Sequence, residues 1–286
     1  MSQLDISDKT LRDVFAANLD ERRIDFTGEE RGAHSVAKIV RGEHGMYVVK
    51  IPQWSVKITR ELFAYEHLHG MVPMPRPFYS DDRIIIQEYI EGERLSDAVL
   101  DGRTKRAIFN ELGSLTRKIH SIHMAGGGLV EQGGRAAFPS FLAWAKDWLE
   151  KNTAVVRKQG TLNEQECDLL LAYLRQGLRA KKFDDTRLLH GDIVPWNVLV
   201  KDGRITGIID YGDLFIGPAA FEFARPYRVL DRQTTFAWLL EGYNDSVPEG
   251  DIVFCASLEA LWSMPYHLGS DPQKAISDAN FLRGVR

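Results

Sequence analysis

Residues 188–200 read LLHGDIVPWNVLV, an apolar run broken by a histidine, an aspartate, a proline and an asparagine and then resumed. A loop of this kind, held between two buried strands, is where a rigid scaffold places chemistry. Asp192 and Asn197 are the informative pair. A carboxylate and, five residues on, a neutral carboxamide oxygen suit one metal-bound phosphate group. The first orients a hydroxyl nucleophile, and the second ligates Mg²⁺ without adding negative charge. Asp and Asn are also ordinary turn residues, so turn chemistry is the competing explanation. A second stretch, ITGIIDYGD at 205–213, is again a β-branched strand running into an acidic cluster, and the short KDGR between the two suggests a β-hairpin. Asp210 there could bridge Mg²⁺ to nucleotide phosphates, with Gly212 letting the chain turn, or it could simply close the strand with an Asx turn.

The third chemical element is Lys50, at the end of YVVK. Strand alternation puts it on the face of Val48, where an unpaired ammonium costs several kcal/mol on burial. Glu61 on the following helix can supply one anionic partner and nucleotide phosphates the other; snorkelling to solvent is the alternative. Upstream, GEERGAHS at 28–35 joins two strands and suits a loop whose backbone N–H groups approach phosphates near His34 and Ser35, although alone it is only a hairpin signal.

These residues need elements to position them. IDFTGEE, HSVAKIV, MYVVKI and RIIIQEYI read as strands, and residues 56–70 as a helix stopped by Gly70. MVPMPRP reads as an extended connector. Beyond EYIEGERL the pattern changes to amphipathic helices near 104–123, 139–157 and 163–181, the last with Thr161 as N-cap and Glu164 as its box partner. The expected organisation is α+β: a small β-rich nucleotide-binding lobe over residues 1–91 and a larger helical catalytic and substrate-binding lobe over 92–286. Net charge is −4 with the signs interspersed, which speaks against a nucleic-acid partner. No apolar stretch approaches the roughly 20 residues of a membrane span, and no leader is visible, so a cytoplasmic location is expected. Cys167 and Cys255 lack any metal-ligand spacing and read as core residues. Trp144, Trp148, Trp196 and Trp262 could line a pocket, but core packing is the stronger reading for aromatic residues at such spacing.

Taken together, Lys50, Glu61, HGDIVPWN and IDYGD resemble the aminoglycoside phosphotransferase and choline kinase family, a branch of the protein-kinase-like fold, over about residues 24–224. The resemblance implies a bilobal enzyme that moves the γ-phosphoryl group of ATP or GTP, with Mg²⁺, to a hydroxyl of a small molecule. It implies Asp192 as the catalytic aspartate, Asn197 and Asp210 as metal ligands, Lys50 on the α- and β-phosphates with Glu61 as its ion-pair partner, and His190 as the brace of the loop. IIIQEYIEG resembles the family's hinge, implying adenine contacts from the backbone of Glu88 and Ile90 with Gln87 at the rear of the pocket. Gly191 replaces the arginine that reads a phosphorylated activation loop in protein kinases, so that switch is not expected. The segment after Asp210 is too short to present a peptide. More than sixty residues separate LTRKIHSIH from His190, and they are expected to wall a small-molecule pocket. Where the family has GDPA and then an aspartate, this chain has GPAAFEFA, with Glu222 as the substitute.

An antibiotic, an aminoglycoside first, is the expected acceptor class, followed by choline, a sugar or another metabolite. An atypical protein kinase and a catalytically inactive nucleotide-binding module are the rivals. Glu222, Asp251 and Glu259, together with Glu241, Asp245 and Asp213, are expected to make the acceptor side negative and to attract a cationic ligand. The acceptor's identity and the oligomeric state are not encoded in any motif.

Overall fold

The computed structural model describes residues 6–32 and 35–285. It divides into two compact units. The first runs to Ala98 and adds Glu131–Gly134 and Pro195–Asp213; the second comprises Val99–Val130, Arg135–Val194 and Leu214–Arg286. A single cut between residues 91 and 92 therefore does not describe the division, because two later segments return to the first unit.

The first unit starts with helix α1 (Asp8–Asn18), capped by Ser7, and continues through β1 (Asp25–Arg31), β2 (Ser35–Arg41), β3 (Met46–Pro52), α2 (Val56–Leu68), β4 (Pro77–Ser80), β5 (Ile85–Glu88) and the short β6 (Glu93–Arg94). The first five strands form one antiparallel sheet in the order β1-β2-β3-β5-β4. Alternation decides which side of this sheet does what. Tyr47, Val49 and Ile51 of β3 face a core made with Leu11 and Phe15 of α1, Val36, Val40 and Ile86. Each apolar side chain buried there contributes about 1.5–3 kcal/mol relative to exposure, and a one-residue slip would lose all of them. Val48 and Lys50 are thereby held on the opposite face.

The second unit begins with α3 (Gly102–Ile119), capped by Asp101, then the hairpin strands β7 (Gly127–Glu131) and β8 (Arg135–Phe138), α4 (Phe141–Gln159), α5 (Glu164–Ala180) and β9 (Arg187–Leu189). The cap of α5 is Asn163, with Glu166 closing the box, and not the expected Thr161 and Glu164. Asn is as good an N-cap as Thr or better, and its side chain here reaches the N3 amide.

The chain re-enters the first unit with the antiparallel hairpin β10 (Val198–Lys201) and β11 (Arg204–Ile208); β10 also pairs with β6. Asp202 and Gly203 form its two-residue turn, both at positive φ, as a hairpin of this length requires. The last stretch belongs to the second unit: β12 (Phe215–Gly217), which pairs with β7 and β9, and α6 (Ala219–Glu222), α7 (Ala224–Val229), α8 (Thr235–Tyr243), α9 (Glu249–Ser270) and α10 (Pro272–Gly284). Trp144 is fully buried and packs against the half-buried Trp148 and Trp262 and against Phe215, whereas Trp196 is exposed, against the core packing expected of it. Cys167 and Cys255 are free and buried. Among the described residues no helix is long and apolar enough to cross a membrane.

Candidate active site

In the first unit Lys50 Nζ is ion-paired with Glu61 of α2 and lies 2.8 Å from Asp210 Oδ1. The lysine side chain is 15% exposed and Glu61 only 4%, whereas Asp210 is 41% exposed. Burial by itself would draw the ammonium's pKa down, but the Asp210 and Glu61 carboxylates outweigh it and hold the group above its ordinary value. Gln87, buried on β5, donates from Nε2 to the other Glu61 oxygen at 3.3 Å. The carboxylate is thus fixed from both sides.

Helix α2 also holds the turn that carries Asp210. Arg60, buried beside Glu61, donates to the carbonyl of Gly212 at 3.1 Å, and Lys57 pairs with Asp213 at 3.1 Å. A Cβ on residue 212 would come within 3.1 Å of the Lys57 side chain, so the glycine permits the close approach. The turn itself is made at Asp210, which has φ +68, and not at Gly212 as expected. A non-glycine residue in the left-handed region is costly, of order 1–3 kcal/mol, and such residues gather at functional sites. The N–H of Ile209 donates to the carbonyl of Asn197 at 2.9 Å, which ties the two ends of the β10–β11 hairpin together.

A cavity of about 530 Å³ opens on this face of the sheet, lined by Ser35, Val48, Lys50, Ile90, Asn197 and Asp210 among others. Gln87 and Glu88 also line it. The Glu88 N–H is already donated to the carbonyl of Arg76 at 2.8 Å, so that N–H is not offered to a ligand. His34 lies outside the described residues. The apolar walls and the few converging polar groups are those of a small-molecule site.

In the second unit the polar loop begins with His190, buried behind β9. Its Nδ1 accepts the N–H of Asp192 at 3.2 Å. Gly191 adopts φ +84, a conformation that an arginine there would occupy only under strain. Glu222 sits beneath the turn and accepts the N–H groups of His190 at 2.6 Å and Gly191 at 3.1 Å, while His120 Nε2 approaches it at 3.3 Å. That contact puts a proton on Nε2, and Tyr243 Oη lies within hydrogen-bond distance of Nδ1 at 2.9 Å. Burial pushes the Glu222 pKa up, but His120 and the amide donors outweigh it and hold the carboxyl below its usual range. Asp192 Oδ1 receives Arg225 Nη1 at 2.6 Å, and Arg225 in turn is held by Glu259 at 2.8 and 3.0 Å.

The profile of the phosphotransferase enzyme family matches residues 26–246, more than half of the chain and all of these groups except Glu259. The chain belongs to the phosphotransferase enzyme family. Solved structures of similar fold include a thermostable mutant of the aminoglycoside phosphotransferase APH(4)-Ia, at 15% identity with 98% of each chain covered and a TM-score of 0.80. The same enzyme in ternary complex with AMP-PNP and hygromycin B aligns at 16% identity over 97% of this chain and 96% of that one, with a TM-score of 0.77. A gentamicin complex of APH(2″)-IIa aligns at 18% identity over 98% and 97%, with a TM-score of 0.72. Among curated proteins none matches by sequence. The phosphotransferase thus has the expected α+β, kinase-like fold.

Three acceptor-side expectations need correction. Glu222 is buried, and both its oxygens are occupied by the loop it braces, so in this phosphotransferase it is not a substrate-binding group. Glu259 is equally buried and is neutralised by Arg225 and by Arg228 at 3.1 Å. Asp251 is ion-paired with Lys181, Glu241 with Arg106 at 3.0 Å, and Asp245 approaches Arg187 at 3.7 Å, so the acids do not form the unbalanced negative face expected of them. Sequence reasoning missed Arg225, Arg228 and His120. The signal was present: two arginines three apart in ARPYRVL, an otherwise largely apolar run, require buried carboxylate partners.

Among the described residues no group of three or more His, Cys, Asp or Glu side chains could hold a metal alone. Asn197 and Asp210 line one cavity, and one carboxylate with one carboxamide leaves the remaining positions to phosphate and water oxygens. That donor set suits a hard cation such as Mg²⁺, which keeps several waters and binds through one or two protein ligands.

Proposed function

We propose that this phosphotransferase moves the γ-phosphoryl group of ATP, or of GTP, to a hydroxyl of a small molecule, an aminoglycoside being the first acceptor class to test. The observation that carries the reading is the convergence of Lys50, Asn197 and Asp210 on one cavity whose apolar wall suits a nucleotide base, with Glu61 ion-paired to the lysine behind it. Lys50 holds the α- and β-phosphates, and the hinge offers the Glu88 carbonyl and the Ile90 backbone to adenine. Mg²⁺, when bound, is held by Asn197 and Asp210 and neutralises phosphate charge. Asp192 orients the acceptor hydroxyl and takes its proton as the new O–P bond forms and the bond to the β-phosphate oxygen breaks. Because such a transition state is loose, positioning and charge neutralisation do most of the work.

The short run from Asp210 to α6 favours a small acceptor over a peptide. Two free, buried cysteines fit a reducing compartment, and a cytoplasmic location goes with the use of ATP. The test is a transfer screen with MgATP and MgGTP over hygromycin B, gentamicin, streptomycin, choline, sugars, macrolides and a peptide mixture. Expected is a mass gain of one phosphoryl group on a small acceptor, reduced by orders of magnitude in Asp192→Ala while nucleotide affinity is kept. Phosphorylation of peptides alone, or an Asp192→Ala variant as active as its parent, overturns the reading.

A further inference from the structure

Arg225 makes a charge-assisted hydrogen bond to Asp192, and its guanidinium is used on two sides. Nη1 donates to Asp192 at 2.6 Å, while Nε and Nη2 donate to a single oxygen of Glu259 at 3.0 and 2.8 Å. Glu259 lies on α9 and is 5% exposed. Its other oxygen faces Arg228, three residues beyond Arg225 on α7, at 3.1 Å. Arg228 reaches Asp278 of α10 at 2.9 Å, and Asp278 accepts from His267 at 2.7 Å and Ser263 at 3.2 Å. The result is a charge-alternating row running from the loop through α7, α9 and α10, all within the second unit.

We propose that Arg225 is a positioning residue for the phosphoryl transfer, aiming the Asp192 carboxylate, with Glu259 as the anchor that fixes the arginine. This rests on the reading of Asp192 as the group that orients the acceptor hydroxyl. The physical argument is geometric. Asp192 has its N–H held by His190 and one carboxylate oxygen held by Arg225, so the rotation of its side chain is restricted and the remaining oxygen is presented in one direction. A planar guanidinium can do this because its donors are fixed relative to one another; a lysine has one point charge and cannot serve Asp192 and Glu259 in the same geometry. Burial opposes the arginine's charge, but Asp192 and Glu259 more than offset it. A small misplacement of a reacting group costs up to about a hundredfold in rate.

The experiment compares Arg225→Met, Arg225→Lys, Glu259→Gln and Asp192→Asn in the full chain. Turnover is read as ADP release from MgATP with water as acceptor, and with hygromycin B or gentamicin where either supports transfer; melting temperature is recorded for each. Expected are a fall in kcat of roughly thirty- to a hundredfold for Arg225→Met, a nucleotide KM within about twofold of the parent, partial recovery in Arg225→Lys, and an intermediate loss in Glu259→Gln although Arg225 is intact. If Arg225→Met does not fold, Arg225→Lys and Glu259→Gln decide, since each keeps a polar partner in place. An inactive Asp192→Asn alongside Arg225 variants that melt lower but turn over at the parental kcat overturns the positioning role alone. An active Asp192→Asn overturns the reading of Asp192 itself.

Discussion

Lys50 stands between two carboxylates of unequal burial, and that inequality sets what each substitution does. Lys50→Met leaves Glu61 inside the protein with Gln87 as its remaining neighbour. Breaking a buried pair costs about 3–5 kcal/mol, and the surviving amide contact places this one near the lower figure. The expected outcome is a loss of about 3 kcal/mol in denaturant unfolding together with at least a tenfold rise in nucleotide KM. Asp210→Asn removes a half-exposed partner, whose pairing is worth about 0–1 kcal/mol, so its stability should stay near the parent's. Its Mg²⁺ requirement should rise more than that of Asn197→Ala, because a charged ligand is lost rather than a neutral one. Titration of turnover against Mg²⁺ in both variants checks this, and an unchanged requirement in both removes the pair from the metal site. Since the Lys50 pKa is raised in the folded protein, its ion pairs contribute fully below the ordinary lysine pKa and are lost only as pH climbs through the higher folded value. Lys50 therefore adds no pH dependence through the neutral range.

Among the elements, the loop at 190–192 depends on the short helix α6 beneath it. Glu222→Gln offers one acceptor where two backbone N–H groups now bond, and an orphaned buried donor costs about 1–3 kcal/mol. Because the Glu222 pKa lies below its ordinary value, its contribution is present above about pH 4.5 and disappears as pH falls through the lower folded pKa. Stability measured from pH 7 down to pH 3 should decline less steeply in Glu222→Gln than in the parent; parallel curves would refute the assignment. The crossing of α3 and α8 is equally specific. A Cβ at Gly242 would meet the Asn110 carbonyl at 1.9 Å and one at Gly113 the Leu239 carbonyl at 2.1 Å, backbone atoms that cannot yield cheaply. Gly242→Ala is expected to lower stability by about 1–3 kcal/mol or more, as overpacking does, measurable as a reduced melting temperature. These elements were unevenly legible. The alternation in MYVVKI and the Asp202–Gly203 turn are local signals, so β3 and the β10–β11 hairpin could be read directly. Helix α1 was missed because its sequence is mostly polar, with only Leu11 and Phe15 buried in it; the β7–β8 hairpin was missed because glycine and alanine dominate it and strand propensity is weak there.

At the scale of the molecule, charge accounting changes the picture of the acceptor. Composition alone suggested that helical acids in the second half would draw a cation, yet sequence cannot say which lysine or arginine folds back onto each. Asp251, Glu241 and Glu259 each have such a partner. Asp251→Asn should therefore change the KM of an accepted aminoglycoside by less than about twofold, while Glu259→Gln should act on kcat; a large rise of KM in the former, erased by salt, would restore the electrostatic funnel. The motifs around Lys50, Asp192 and Asp210 were readable because phosphoryl chemistry demands particular side chains at particular strand ends. The pairing of Arg225 and Arg228 with Glu259 was not, since it spans more than thirty residues and exists only once α7 and α9 are packed.

The return of Pro195–Asp213 to the first unit also has a bearing on how the chain is made. When residue 98 leaves the ribosome, Lys50 and Glu61 are already synthesised but Asp210, Asn197 and the strand that pairs with β6 are not. At roughly 5–20 residues per second, the intervening hundred-odd residues take on the order of ten seconds to appear. For that interval the nascent sheet carries its lysine with one carboxylate partner and an unpaired β6. A ribosome-stalled chain whose residues up to 98 have cleared the exit tunnel should accordingly show protease protection of the α1-covered core, yet bind MgATP only after the stall is moved far enough for residue 213 to clear the tunnel as well.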